Sequence, residues 1–316
     1  MLPTMNAAIG AQLRFDDRRI IIVGAGGWLG MATLELLHLA LGDQQFDARV
    51  VCFGARARAL ELRSGKTVAQ HVLAELSHLP PCPSFLLHLA FLTKDKALEM
   101  DEAAYCEANR ALSQMIRAAL DKIGVEGAFV ASSGAAYSAH DPRADDALRL
   151  YGALKCEDEN TFSAWAHEAN KVAIITRVFN VSGRYISQDK PYALFDFIRC
   201  ALDRQPIVVR APRRIERGYV AIRELLSLVF AFLLHTSRDV VRFDTGGQAI
   251  ELLDLARVVA DIAAVPVERA PITERDANHY VGDGIAYAAL LSKFNIAPVS
   301  LTEQVRETYD YLAGAI

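Results

Sequence analysis

The sequence predicts an α/β chain: a parallel sheet with helices covering both faces. Short apolar runs at 20–23, 85–89, 128–131 and 172–178 alternate with longer helical patterns, as repeated βα units do. The first run ends in a glycine-rich turn, and Gly24, His88, Ser133 and Asn180 all fall at or near the ends of strand-like segments. In a sheet of this kind ligands bind at the carboxyl ends of the strands, so the polar and glycine positions converge on one edge.

Taken in order, 20–23 reads as the first strand and Gly24-Ala25-Gly26-Gly27-Trp28-Leu29-Gly30 as its turn into a helix. Gly24 permits the tight turn, Gly27 lets the backbone approach a pyrophosphate and Gly30 lets the helix pack closely. The helix opening at Trp28 and Leu29 offers N–H groups to phosphates. The next strand, 49–53, ends at Gly54, where an NAD site usually places an acidic residue for the ribose 2′-hydroxyl. Arg56 and Arg58 follow, and guanidinium forks suit a 2′-phosphate, so NADP is expected before NAD.

Ser133 closes the strand at 128–131, and Tyr151 and Lys155 lie four apart on a helical stretch, hence on one face. An ordinary tyrosine ionises near pH 10, and a nearby ammonium favours its phenolate. Bringing it near 7 requires about 4 kcal/mol of differential stabilisation. His88, closing a buried strand, reads as a hydrogen-bonded structural residue. Glu157, Asp158 and Glu159 read as a solvated helix face rather than a metal site.

Beyond Asn180 the pattern loosens, with Pro191, Pro206, Pro212 and the arginine-rich segment 210–217, before helical stretches at 222–234 and 252–264. The expected organisation is a dinucleotide-binding domain over 18–180 and a mainly substrate-binding lobe over 181–316, some of whose elements return to the first domain.

Composition agrees: 316 residues, 52% of them hydrophobic, allow a large core, and the net charge of -4 gives no support to nucleic acid or anionic membrane partners. Five scattered cysteines without CxxC pairing fit a reducing compartment. The first seventeen residues lack the apolar core of a signal peptide, and no apolar run reaches a membrane span, so a cytoplasmic protein is expected.

These residues together resemble the extended short-chain dehydrogenase/reductases, which include nucleotide-sugar epimerases, dehydratases and ketoreductases. Gly24, Gly27 and Gly30 match the family's cofactor turn, and His88-Leu89-Ala90 matches the strand end beneath the cofactor. Asn109 matches its helix asparagine. Ser133 matches the catalytic Ser or Thr, four positions before Tyr137, and Tyr151 and Lys155 match the remaining pair. Residues 177–183, with Asn180, resemble the substrate loop, and Arg217-Gly218-Tyr219-Val220 resembles the element whose arginine contacts a substrate diphosphate.

The resemblance implies a Rossmann-type fold with a smaller C-terminal substrate lobe, and an NAD(P)-dependent oxidoreductase acting on a nucleotide-linked sugar. Within it, an NADPH-dependent keto-sugar reductase is expected first and an epimerase with retained NAD second. A non-catalytic dinucleotide-binding or redox-sensing protein is a reading of another class. A homodimer through a helix pair is common in the family, and the alanine-rich helix 103–120 suits either that or packing on the sheet. Two departures stand out: Arg184 where proline is frequent, and Arg223 where an acidic residue is frequent. Gly134 and Ala135 replace the Asp-Glu of sugar dehydratases, which disfavours dehydration.

Overall fold

The computed structural model describes residues 3–186 and 192–314, so Pro191 of the irregular segment lies outside the described residues. The chain divides into two compact units. The first holds Thr4–Val178 and Leu226–Phe243, and the second holds Met1–Pro3, Phe179–Leu225 and Asp244–Ile316.

In chain order the first unit contains α1 (Ala7–Phe15), β1 (Arg19–Val23), α2 (Trp28–Arg49), β2 (Val50–Gly54), β3 (Arg58–Glu61), β4 (Thr67–Val72), β5 (Ser84–His88) and α3 (Lys94–Glu99). It continues with α4 (Glu102–Leu120), β6 (Val125–Ser133), α5 (Asp146–Ala169) and β7 (Val172–Val178). The strands form one eight-stranded sheet with β11 (Val240–Asp244), in the order β11-β7-β6-β5-β1-β2-β4-β3. From β4 to β7 every neighbouring pair is parallel. This is the Rossmann-type doubly wound sheet the sequence predicts.

β1 and β5 are buried along their whole length, as expected of strands covered on both faces. One core joins Ile21, Val23, Leu86, Val130 and Ile175 of the sheet to Phe162 and Trp165 of α5. Capping fixes the helices that carry the site residues: Asp101 accepts from the Ala104 amide to start α4, and Asp145 from the Leu148 amide to start α5.

The strict alternation of strand and helix fails once. Between β2 and the next parallel strand the chain makes the antiparallel edge strand β3 instead of a helix. Leu60 pairs with Val68 across this hairpin, both buried between exposed neighbours, and Gly65 turns it at a φ of +85°. The period-two pattern on either side of Ser64-Gly65 is the local cause.

In the second unit, β10 (Ile215–Ala221) pairs in parallel with β8 (Asn180–Ser182) and β14 (Asn278–Tyr280) and antiparallel with β12 (Ala249–Glu251). A smaller parallel pair joins β9 (Ile207–Val209) to β13 (Val267–Arg269). α6 (Ala193–Leu202), α8 (Leu252–Ala263) and α10 (Leu301–Leu312) close a separate core that includes Leu194, Ile198, Leu255, Val259 and Val305. α7 (Ile222–His235) begins in this unit and continues into the first, and α9 (Gly284–Lys293) follows β14.

Candidate functional site

At the carboxyl ends of β1, β2 and β5 lies a cavity of about 630 Å³ whose lining includes Gly24, Gly27, Gly54, Arg56, Arg58, Leu89 and Ala90. Seven of the residues the sequence singles out for the dinucleotide thus share one cavity. Gly24 adopts a φ of +90°, and a Cβ there would stand 2.6 Å from the Ala90 amide nitrogen, so the turn and the strand end beneath it need the missing side chain. A Cβ on Gly30 would meet the Gly24 carbonyl oxygen at 2.4 Å; the close contact is with the turn itself rather than with the sheet. Trp28 and Leu29 sit at the first turn of α2 and do not line the cavity. The glycine cradle and the helix start fit a dinucleotide pyrophosphate.

Asn109 behaves differently. Its Oδ1 accepts from the Leu92 amide at 2.8 Å, and its Nδ2 donates to the Tyr105 carbonyl at 3.3 Å. The side chain is buried and absent from the cavity wall. It fixes the loop after β5, which does line the wall, and so shapes the site from behind.

Tyr151 and Lys155 occupy successive turns of α5, and one aromatic ring touches both. The Phe91 ring meets Tyr151 edge-on, with centroids 5.9 Å apart, and lies under the Lys155 ammonium at 3.7 Å. Phe91 also lines the cavity of the glycine turn, which joins the Tyr-Lys pair to that cavity through a single side chain. The sequence reading missed Phe91; the signal was its position directly after His88-Leu89-Ala90.

Ser133 ends β6, and its Oγ accepts from the Ala135 amide at 3.2 Å, capping a 3-10 turn over Gly134–Ser138. α5 closes against that turn at Gly152, where a Cβ would stand 2.2 Å from the Ala135 carbonyl oxygen. Gly152 therefore brings the turn that carries Tyr151 against the turn that follows Ser133. The neighbouring Ser132 faces the other way, as strand alternation requires, and donates to the buried Glu159 carboxylate at 2.5 Å.

Lys155 is buried, and its Nζ donates to the Ala131 carbonyl at 2.8 Å. Burial lowers the ammonium pKa to about 8, with Asp158 and Glu159 pulling against that shift. Asp158 accepts from Ser113 Oγ at 2.6 Å and lies 3.3 Å from His88 Nε2. Burial works against its carboxylate, but the His88 ring, the Lys155 ammonium and the Ser113 hydroxyl prevail and bring its pKa down to about 2. Glu159 pairs bidentately with Arg177, both contacts at 2.9 Å.

This corrects the expectation that 157–159 form a solvated face. Only Glu157 is near solvent, paired with Arg110, while Asp158 and Glu159 are buried at 2% and 4% exposure. Positions 151, 155, 158, 159 and 162 share one stripe of the helix, so a stripe that turns Lys155 and Phe162 inward turns the two acids inward as well.

In the second unit a pocket of about 550 Å³ brings together Asn180 and Arg217, with Arg199 and Arg210 also in its wall. Asn180 Nδ2 donates to the Gly218 and Tyr280 carbonyls. Arg217 Nη1 donates to Asn278 Oδ1 at 2.8 Å, and burial lowers the guanidinium pKa from its ordinary value. Of the other arginines in the segment, Arg213 pairs with Glu274. The two departures meet on one carboxylate: Arg223 bonds Glu303 and Glu307 of α10, and Arg184 acts electrostatically on Glu307. Ser182 donates to Gln304 Oε1 at 2.7 Å and the Gly183 amide donates to Thr308. The end of β8 and the start of the loop after it are therefore held by α10.

Among the described residues no group of three or more His, Cys, Asp or Glu is placed to hold a metal, and no helix is long and apolar enough to cross a membrane.

A UDP-N-acetylglucosamine 4-epimerase from Methanobrevibacter ruminantium, solved with UDP-N-acetylmuramic acid, is similar to this chain at 18% identity, covering 95% of this chain and 100% of that one, with a TM-score of 0.72. A UDP-glucose 4-epimerase from Thermus thermophilus, solved with NAD, is 20% identical over 94% of this chain and all of that one, at 0.68. RMD from Pseudomonas aeruginosa, solved with NADPH, is 18% identical over 95% of this chain and all of that one, also at 0.68. At these identities the likeness is one of fold. No curated protein matches by sequence. The family model of the NAD-dependent epimerase/dehydratases matches residues 20–243, which include the glycine turn, Ser133, Tyr151 and Lys155. The chain belongs to the NAD-dependent epimerase/dehydratase family, and it is an NAD(P)-dependent enzyme of the oxidoreductase and epimerase class.

Proposed function

We propose that this enzyme is an NADPH-dependent reductase of a keto group on a nucleotide-linked sugar. The observation that carries the reading is Phe91, which lines the dinucleotide cavity and packs against both Tyr151 and Lys155. When bound, the cofactor supplies a hydride from its nicotinamide C4 to the substrate carbonyl carbon. Tyr151 donates its phenolic proton to the carbonyl oxygen, and Ser133 positions that oxygen by hydrogen bonding. Lys155, buried with a pKa of about 8, stabilises the phenolate left behind. Gly24, Gly27 and the N–H groups at Trp28 and Leu29 hold the pyrophosphate, and Arg56 and Arg58 face the adenosine ribose.

The second unit serves as the substrate lobe. Arg217, with Arg199 and Arg210 in the same pocket, is the donor for a diphosphate, and Asn180 shapes the wall beside it. Binding energy from that remote group holds the sugar for reaction. The reading includes a homodimer through α4, since Ala103, Ala104 and Ala118 lie on its exposed side.

Native mass spectrometry of the purified protein, followed by NADPH oxidation assays with UDP-linked keto-sugars, tests the proposal. An empty site, a preference for NADPH and keto-sugar-dependent oxidation are expected. A tightly retained NAD with interconversion of sugar epimers overturns the reductase in favour of an epimerase, and a monomeric mass at micromolar concentration removes the dimer.

A further inference from the structure

The residue at the end of β2 is glycine, yet the space beside it is filled. Gln70, from β4, lays its carboxamide over Gly54: a Cβ on residue 54 would stand 2.4 Å from Gln70 Nε2 and 2.6 Å from its Oε1. No larger side chain fits at 54 while Gln70 stands there. The place of the acidic residue that would read an unphosphorylated ribose is thus taken by a neutral amide from the next parallel strand, which would have to swing away to admit one.

The amide is also well anchored at one end only. Nε2 donates to the Arg56 carbonyl at 2.7 Å and so fixes the main chain of the loop that carries both arginines. Oε1 is buried and accepts no hydrogen bond, in a residue only 4% exposed that lines the dinucleotide cavity. A buried amide oxygen left without a donor costs free energy comparable to a lost hydrogen bond. Arg58 is close by. Its Nη2 donates to the Gly26 carbonyl at 3.1 Å. That Nη2 and Gln70 Oε1 lie 1.8 Å and 3.0 Å from the point where a Cβ on Gly26 would be. The guanidinium and the unpaired oxygen are neighbours across the glycine turn.

We propose that Gln70 is the positioning residue that sets cofactor choice at the adenosine 2′ position. It fills the space beside residue 54, pins the Arg56 main chain, and accepts a hydrogen bond from Arg58 when that guanidinium leaves the Gly26 carbonyl to face a 2′-phosphate. Being neutral, it aims Arg58 without cancelling its charge. A carboxylate in the same place would pair with Arg58 and repel the phosphate.

The inference rests on the reading of this cavity as the dinucleotide site. NADPH and NADH are titrated by calorimetry against the wild type, Gln70→Glu and Gln70→Met, with circular dichroism and thermal unfolding confirming that each is folded. Gln70→Glu is expected to weaken NADPH at least about tenfold, with NADH held within about threefold. Gln70→Met, which keeps the length and removes the polar atoms, should weaken NADPH several-fold and NADH little. If both variants change the two affinities in equal proportion, or leave their ratio unchanged, Gln70 is merely structural and the proposal fails while the dinucleotide site stands. If the wild type binds neither dinucleotide, the reading of the cavity fails and the role of Gln70 falls with it.

Discussion

Lys155 is a cation held where its charge is costly. Its folded pKa of about 8 lies below the ordinary 10.5 because burial disfavours the ammonium. Between these values the unfolded chain binds more protons than the folded one, so the lysine's contribution to stability rises with pH through that window. Below pH 8 the penalty is complete, at about 3 kcal/mol. The unfolding free energy of the wild type relative to Lys155→Met should therefore move in the wild type's favour by up to about 3 kcal/mol between pH 8 and 10.5. Denaturant melts across that range measure it, and a flat difference would show that the amine is not strained by burial. Ser133, Tyr151 and Lys155 stand out in the sequence because their types and spacing suit acid/base chemistry. The sequence also held the signal for the buried Asp158 and Glu159 in their helical register with Lys155, which outweighs the general rule that runs of acids are solvated. Phe91 had only its place directly after His88-Leu89-Ala90 as a signal, and no local pattern marks Gln70, because its role arises from neighbours on other strands.

At the scale of elements, Gly152 decides how closely α5 sits on the turn after Ser133. Gly152→Ala would press a methyl onto the Ala135 carbonyl, where only 2.2 Å is available, and must push the helix away. A destabilisation of about 1–3 kcal/mol is expected, together with a fall in kcat much larger than any change in NADPH affinity; thermal melts and steady-state kinetics read the two effects. Arg223 is the counterpart in the second unit. Burial raises the Glu307 carboxyl above its ordinary pKa and Arg223 opposes the rise, so Arg223→Met should cost about 1–3 kcal/mol at pH 7. The loss should shrink as Glu307 protonates in acid, and urea titrations at pH 7 and 5 compare the two. The parallel strands were readable from apolar runs, and the glycine turn from its place after the first of them. The β3–β4 hairpin broke the expected alternation because its signal, a Ser-Gly turn between period-two segments, is short. The hold of α10 on the end of β8 and the start of the loop after it joins residues more than a hundred positions apart, and nothing local to either segment announces it.

At the scale of the molecule, the chain makes two cores that it threads more than once, entering the second unit at Phe179, returning within α7 and leaving again at Asp244. Composition indicates a core of ample size but carries no mark of that threading, because the crossing points have no linker chemistry of their own. The central claim is that the first unit supplies both the dinucleotide cavity and the proton donor. Tyr151→Phe keeps the ring against Phe91 and removes only the hydroxyl, so it tests the claim most directly. Turnover of a nucleotide-linked keto-sugar should fall at least about a hundredfold, with the NADPH Kd within about twofold of the wild type. A variant that retains full turnover would contradict the assignment of Tyr151 as the acid.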